Sequence, residues 1–496
     1  MNQTDLRQSW IDRAASFVPP SGMWVDGRQL TDSPAPSISV VSPRDGSVLA
    51  TMPSADEAIV ERAVAAARRS FERGHWSGIS ASERGGVLRR WADLVAARRE
   101  ELALAISLEM GKPVSDALLV EVRAAERTLR WYGEAADKLQ DEAPRGLTDA
   151  LALVTREPVG VVGAITPWNM PVTITSWKLA AALAAGNSVV VKPSELSPLS
   201  VLLLTRWGCE AGVPDQVLQV ILGAGDVAGA ALARSRGVDS LTFTGSTRVG
   251  RLLQRYAGES NLKPVWLELG GKTPFVVLAD ADLEAAADAL AWGITFNAGQ
   301  LCTAASRAIV HRAVYADFRD LVVQRVSARR VGDPLDPTTE IGPLVSEHRR
   351  EDVLRRVRSA VAAGAVLRSG SESPRPGAGW YVDPSVLVDV DPASPLAQEE
   401  VFGPVLAMIP ADDADHAVAL ANDSAYGLGA AVWTRDLTAA HRLARRVRAG
   451  TVWVNCFEEG DLSVPFGGRG LSGHGVDKSL HALDKFTALK TTWIAL

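Results

Sequence analysis

Cysteine is scarce in this chain, with three among 496 residues, at Cys209, Cys302 and Cys456. So sparse and odd a set builds no disulfide framework, and it fits a reducing compartment. The spacings that hold metals are missing as well. The histidines form no His-Glu-x-x-His motif and no Cys/His cluster, so no metal site is expected. Long apolar runs are absent. The longest uncharged one, Leu179 to Val191, is too short to span a bilayer and contains Gly186-Asn187. Met1 to Pro20 has no apolar leader core, and the cytoplasm is the expected compartment. Basic clusters with interleaved aromatics are also lacking. With a net charge of −6, nucleic acid and anionic membrane surfaces are excluded as main partners. The Gly-x-Gly-x-x-Gly turn of an ordinary dinucleotide fold is missing too; Gly223-Ala224-Gly225 with Gly229 is only a near miss.

What remains is a globular composition. Charged residues make up 22% and apolar residues 47%, which supports a packed core, and 496 residues call for two or more domains. The first twenty residues read as a loosely held arm. Trp24 to Ala50 reads as short strands with turns at Asp26-Gly27 and Asp45-Gly46. Val87, Leu88, Trp91, Leu94 and Val95 mark one face of a helix, and Gly111-Lys112-Pro113 breaks the helical region before a second helix running to about Leu139. From Val159 the pattern alternates. Apolar runs at 159–165, 188–191, 217–221, 240–243 and 265–267 are separated by helix-length segments, which predicts a parallel sheet with crossover helices. A second α/β region runs from Thr273 to about Gly470, and the tail from Thr487 is β-rich.

Two residues suggest chemistry. Cys302 follows a helix-like run from Asp282 to Asn297, in Gly299-Gln300-Leu301-Cys302-Thr303. A thiol at such a junction is either a small buried hydrophobe or a nucleophile whose thiolate is favoured locally. Glu268 ends an apolar strand-like run and precedes Gly270-Gly271. An acid there suits a general base, or a structural carboxylate.

Five further segments fall in order around them: Ala164-Ile165-Thr166-Pro167-Trp168-Asn169-Met170-Pro171, Lys192-Pro193-Ser194-Glu195, Phe243-Thr244-Gly245-Ser246, Glu399-Glu400-Val401-Phe402-Gly403-Pro404 and Pro465-Phe466-Gly467-Gly468. Each alone is a weak signal. Together, from about Trp24 to Trp493, the chain resembles the aldehyde dehydrogenase superfamily. The tail from Gly460 to Gly468 and from Asp477 to Thr487 is most similar to the branch that oxidises gamma-glutamyl-gamma-aminobutyraldehyde in putrescine breakdown.

That resemblance implies an α/β fold with two doubly wound parallel-sheet domains and a small β oligomerisation element. The NAD-binding domain would take 1–138 and 159–270, and the catalytic domain 271–470. Residues 139–158, as a hairpin, and the tail 471–496 would pair subunits into a homodimer or homotetramer. It implies an NAD-dependent enzyme, with NADP possible, acting on a small-molecule aldehyde. Cys302 would attack the carbonyl, Asn169 and the Cys302 N–H would hold the oxyanion, and Glu268 would activate water. Lys178 is either a snorkelling cation or part of a proton path; Asp477 stands where many members carry Glu. For the cofactor the resemblance implies Ile165, Thr166, Pro167, Trp168, Lys192, Ser194, Glu195, Gly225, Gly229, Phe243, Thr244, Gly245, Ser246, Val249, Leu269, Gly270, Glu400 and Phe402. For the substrate it implies Met170 and Arg469 in place of the common Phe and Tyr, with Met170, Trp177, Phe457, Glu459, Asp461 and Phe466 near the tunnel. The loop 457–461 carries three carboxylates, which are either a solvated acidic turn or a lure for an amino-bearing aldehyde. Cys456 is expected to be a packed thiol.

Overall fold

The computed structural model describes residues 3–496. Two seven-stranded sheets organise the chain. The first has the order Val265–Glu268, Ser240–Thr244, Val161–Ile165, Ser188–Lys192, Leu218–Val220, Met23–Val25 and Arg28–Leu30. Its first five strands run parallel and the last two are antiparallel. Val161–Ile165, Ser188–Lys192 and Ser240–Thr244 are buried at every position, because helices cover both faces. Continuous apolar runs rather than alternation are therefore what the sequence shows. Asp26 and Gly27 both take positive φ, at 57° and 71°, and turn the chain between the two edge strands.

The second sheet has the order Val366–Ser369, Ser385–Val388, Val405–Ala411, Arg307–His311, Pro274–Val277, Gly429–Trp433 and Thr451–Val454. Only its Val366–Ser369 edge is antiparallel. Phe275, Val277, Phe318, Met408 and Trp433 pack one side of it. The architecture is thus two parallel-sheet α/β units, as the resemblance implied. No helix of the described residues is long and apolar enough to cross a membrane.

The N-terminal segment corrects an expectation. It is a helix, Gln3–Ala15, rather than a loose arm, and Trp10 is buried against Leu104, Leu108, Val114 and Leu335. One large side chain anchors it without an apolar stripe, which is why no periodicity announced it. Met1 and Asn2, where the expected first domain begins, lie outside the described residues. The expected hairpin over 139–158 is also reduced. Its strand, Ala150–Pro158, pairs along its full length with Thr487–Ala495, while the return limb keeps a single bridge, Glu142 opposite Val154.

This two-stranded ribbon stands apart from both sheets. Leu489 (63% exposed), Trp493 (62%) and Leu151 (41%) face solvent on it, an apolar edge that a monomer would leave open to pairing. Light scattering at micromolar concentration is expected to give two or four chains per particle. Trp493→Asp with Leu489→Asp is expected to shift the particle toward smaller assemblies, and a wild-type monomer would refute the reading.

Candidate active site

The parallel strands of the first sheet end at Ile165, Lys192, Thr244 and Glu268, so their C-terminal edge gathers the residues that follow them. Beside that edge lies a cavity of about 240 Å³. It is walled by Pro167, Trp168, Asn169, Ile174, Thr244, Gly245, Ser246, Leu269, Gly270, Cys302, Arg349, Glu400 and Phe402. A larger surface hollow holds Cys209, but burial and the neighbouring Asp215 push that thiol up to about 12.

The Cys302 loop is fixed by local geometry. Asp282 caps the helix Leu283–Thr295, accepting from the Ala285 N–H at 3.2 Å. Three successive residues then turn left-handed: Asn297 (φ 52°), Ala298 (54°) and Gly299 (67°). Such strain persists only where the surroundings hold it. Here Asn297 Nδ2 donates to the carbonyls of Asn169 (3.1 Å) and Gln300 (3.0 Å), and Asn169 Nδ2 donates to Gln300 O at 3.0 Å. Gly271 completes the clamp, since a Cβ there would collide with the Cys302 carbonyl oxygen. The thiol reaches the cavity wall rather than the core. Burial raises its pKa, and the carboxylates of Glu458, Glu400 and Glu268 raise it further.

Glu268 is buried with neither carboxylate oxygen hydrogen-bonded among the described residues. Burial pushes its pKa well above the usual carboxylate range and Asp477 adds to this, while Lys485 and Lys178 oppose it. Lys178 does not snorkel. It is 1% exposed, and its Nζ donates to Asp477 Oδ2 and to Thr242 Oγ1, each at 3.2 Å. Asp477 also takes a short hydrogen bond from Lys485. Burial alone would raise Asp477, yet the two ammonium groups hold it down at about 2. Lys485 gave no signal in the sequence.

A second buried pair, Lys112 and Glu121, was equally silent. Lys112 Nζ donates to Glu121, to Asn169 O (3.2 Å) and to Met170 Sδ (2.9 Å). Glu121 Oε1 accepts from the Val172 N–H at 3.1 Å, at the start of the helix Pro171–Ala184. Glu121 lies in a π-helical turn, Ala117–Val122, which often marks a place where side-chain aim matters. This pair fixes the backbone from the Asn169 carbonyl to the Val172 N–H.

The cofactor candidates divide. Pro167, Trp168, Thr244, Gly245, Ser246, Leu269, Gly270, Glu400 and Phe402 line the cavity. Glu400 Oε1 accepts from the Gly271 N–H at 3.0 Å, and burial raises its pKa to about 7. Phe402 (φ 56°) meets Trp168 edge-on at 5.4 Å. Ile165, Thr166, Lys192, Ser194, Glu195, Gly225, Gly229, Phe243 and Val249 do not line that hollow. Lys192, Gly229 and Ile165 nonetheless meet one another, and Lys192 Nζ lies 3.6 Å from Glu195 Oε2. Ser246 Oγ caps the helix Thr247–Gly258, accepting from the Val249 N–H at 3.4 Å. Gly225 and Gly229 bound a π-helical turn after the strand Leu218–Val220. Arg349 is an addition, with its Nε buried and unpartnered and its guanidinium on the Phe402 carbonyl at 3.1 Å.

On the substrate side, Met170 packs with Ile174 and Phe296 beside Trp177, and Trp177 meets Phe466 at 5.6 Å. Phe457 corrects an expectation: it is buried in the second core against Trp453 and Phe275, at 5.1 and 5.8 Å. Glu459 and Asp461 are exposed, and Asp461 lies 3.5 Å from Arg127. The inward acid of that loop is Glu458, because its φ of 59° turns the side chain away from its neighbours' direction. Cys456 is half-buried against the second core.

Comparison with known proteins agrees with this geometry. The model of the aldehyde dehydrogenase family matches residues 30–492. The NADP/NAD-dependent aldehyde dehydrogenase PuuC of Escherichia coli (strain K12) is 45% identical over 98% of each chain. Among solved structures, an indole-3-acetaldehyde dehydrogenase in complex with NAD+ shares 46% identity and a TM-score of 0.97, covering 99% of each chain. The gamma-glutamyl-gamma-aminobutyraldehyde dehydrogenase of Burkholderia cenocepacia J2315 shares 46% identity and a TM-score of 0.96, again over 99% of each.

The raised Cys302 thiol gives a sign. A thiol above its ordinary value holds little thiolate at neutral pH, and the thiolate is the reactive form. Alkylation of Cys302 in the ligand-free protein, followed by mass spectrometry, is expected to run at least about tenfold slower than free cysteine at pH 7 and to climb without a plateau through about pH 9. A plateau below pH 8 would contradict it.

Proposed function

The chain belongs to the aldehyde dehydrogenase family, and we propose that it oxidises an amino or gamma-glutamylamino aldehyde to the carboxylic acid through a thioester on Cys302. It is an aldehyde dehydrogenase that uses NAD or NADP. The observation that carries the mechanism is one cavity faced by a thiol and a side-chain amide, with an unpartnered carboxylate behind it whose charge acts on that thiol.

The residues present fit a dinucleotide. The Thr244 hydroxyl is buried without a partner at the cavity wall, the helix Thr247–Gly258 opens beside it, and a Cβ at Gly270 would collide with the Glu400 carboxylate. Ser246 and the helix N-terminus would face phosphate, Glu400 a ribose hydroxyl, and Lys192 with Glu195 the other ribose. When bound, the dinucleotide accepts hydride at its nicotinamide ring.

The chain's own groups do the rest. The Cys302 thiolate adds to the carbonyl carbon, and the carbonyl π pair moves to oxygen, where the Asn169 Nδ2 and the Cys302 N–H stabilise it. That pair re-forms the C=O bond as hydride leaves, giving the thioester. Glu268 then removes a proton from water, the hydroxide adds to the thioester, and the Cys302 sulfur departs as thiolate. Lys178 and Asp477 stand behind Glu268 and act on its charge. The first sheet would be the NAD-binding domain, 1–138 with 159–270, and the second the catalytic domain, 271–470, in a cytoplasmic homodimer or homotetramer.

An uncharged aromatic aldehyde is a second reading, favoured by the ring wall of Trp177, Phe466 and Phe296 and by the name of one solved relative. Comparing kcat/KM for an acylamino, an amino and an aromatic aldehyde decides between them. The substrate reading falls if the aromatic aldehyde leads.

Glu268→Gln is expected to leave one turnover of NADH intact and slow the steady state by about 10²–10⁴-fold, since an amide cannot take the proton from water. A burst with an acyl mass on Cys302 checks it; normal turnover would name another base. Cys302→Ala should show neither burst nor adduct.

NAD is expected to lead NADP in kcat/KM by about tenfold or more. Glu195 would accept from a ribose 2′-hydroxyl and repel a 2′-phosphate, and Lys192 at 3.6 Å softens that repulsion. Glu195→Gln should narrow the ratio. A wild-type enzyme that prefers NADP would overturn this assignment.

A further inference from the structure

Two charged groups on the substrate side of Cys302 lie outside the mechanism. Glu458 and Lys478 come from separate loops, and both turn inward through left-handed backbone, at φ 59° and 61°. Left-handed non-glycine residues mark positions that the surrounding structure holds in place. Glu458 Oε1 is sealed from solvent with no hydrogen-bond partner, and the Thr303 hydroxyl, next to Cys302, reaches its carboxylate. Lys478 Nζ lies over two rings, 4.8 Å from the Trp177 centroid and 5.1 Å from that of Phe466. Among the described residues no ion pair or hydrogen bond is formed by that ammonium, although it feels both Glu458 and Cys302. One unsatisfied acceptor and one donor with only ring contacts thus lie close to Cys302 and to each other, beside the Trp177 and Phe466 rings.

We propose that Glu458 and Lys478 are a specificity-determining pair for aldehydes that carry a secondary amide a few bonds from the carbonyl. The amide N–H donates to Glu458 and the amide oxygen accepts from Lys478. An amide presents both groups at once and carries no net charge. A free ω-ammonium satisfies Glu458 but meets repulsion from Lys478. A plain alkyl chain leaves both half-buried groups without a partner, which a site built for hydrogen bonding penalises. The proposal rests on the amino or gamma-glutamylamino reading and chooses within it, favouring acylated over free amines.

The test compares 4-acetamidobutanal with 4-aminobutanal and pentanal, in wild type, Lys478→Met, Lys478→Arg and Glu458→Gln. Results are read as kcat/KM ratios so that a general loss of activity cancels. In wild type the acetamido aldehyde is expected to lead the free amine by about tenfold or more. Lys478→Met should collapse that ratio by about tenfold, and Lys478→Arg should restore most of it. Glu458→Gln should lower both nitrogen-bearing substrates relative to pentanal. It should also speed alkylation of Cys302, because one carboxylate facing the thiol is gone; that readout needs no aldehyde and shows that the variant is folded. If pentanal leads in wild type, the substrate reading above fails, and the pair is then judged by whether the variants shift the acetamido-to-amino ratio. An unmoved ratio in both Lys478→Met and Glu458→Gln would overturn the proposal.

Discussion

Asp477 lies between two buried ammonium groups, and the electrostatics of Glu268 depends on that arrangement. Lys178 comes from the helix after the strand Val161–Ile165, and Lys485 from the turn before the C-terminal strand. The Lys485 carbonyl also accepts from Ser240 Oγ on the first sheet. Each ion removed from water costs several kcal/mol unless paired. One carboxylate between two cations leaves an excess positive charge, and Glu268 is the acid beside it. Lys485 and Lys178 oppose the burial that, together with Asp477, raises Glu268. The same contacts tie the tail to the first sheet, so the exposed strand Thr487–Ala495 is anchored by the group that also tunes the base.

Much of this was legible in the sequence, for a physical reason. Parallel strands covered on both faces must be apolar throughout, so 159–165, 188–191 and 240–243 stood out as runs. The turn after the first of them carries the Asn169 amide, Glu268 ends a neighbouring strand, and the Cys302 thiol follows the helix Leu283–Thr295. What stayed hidden were buried charges. Lys112, Glu121 and Lys485 look in sequence like surface residues, although each is sealed against a charged partner eight or nine residues away, and Glu458 and Lys478 are half-buried. The acidic loop shows the limit most clearly. Its three carboxylates read as one group in the sequence, but a single left-handed residue sends Glu458 inward while Glu459 and Asp461 stay in solvent. Phe457 beside them fills a core. The N-terminal helix escaped notice because one tryptophan carries its packing.

The acids around Cys302 set one further constraint. Glu458, Glu400 and Glu268 reach the thiol from three different segments, and each disfavours its ionised form. A site built only to generate a thiolate would place cations there instead. Of these three acids, Glu400 lines the cavity itself, beside Phe402. A negative charge there favours a cationic ring in the cavity by the same Coulomb term that opposes the thiolate. Charge coupling is reciprocal: a positive group that the acids attract also offsets their effect on the sulfur, at about 1.4 kcal/mol for each pKa unit recovered. A thiol kept protonated until its partner arrives is guarded against alkylation and oxidation. The buried acids thus restrain the thiol as well as serving the base, and the strained loop of Asn297, Ala298 and Gly299 holds the sulfur where both effects act.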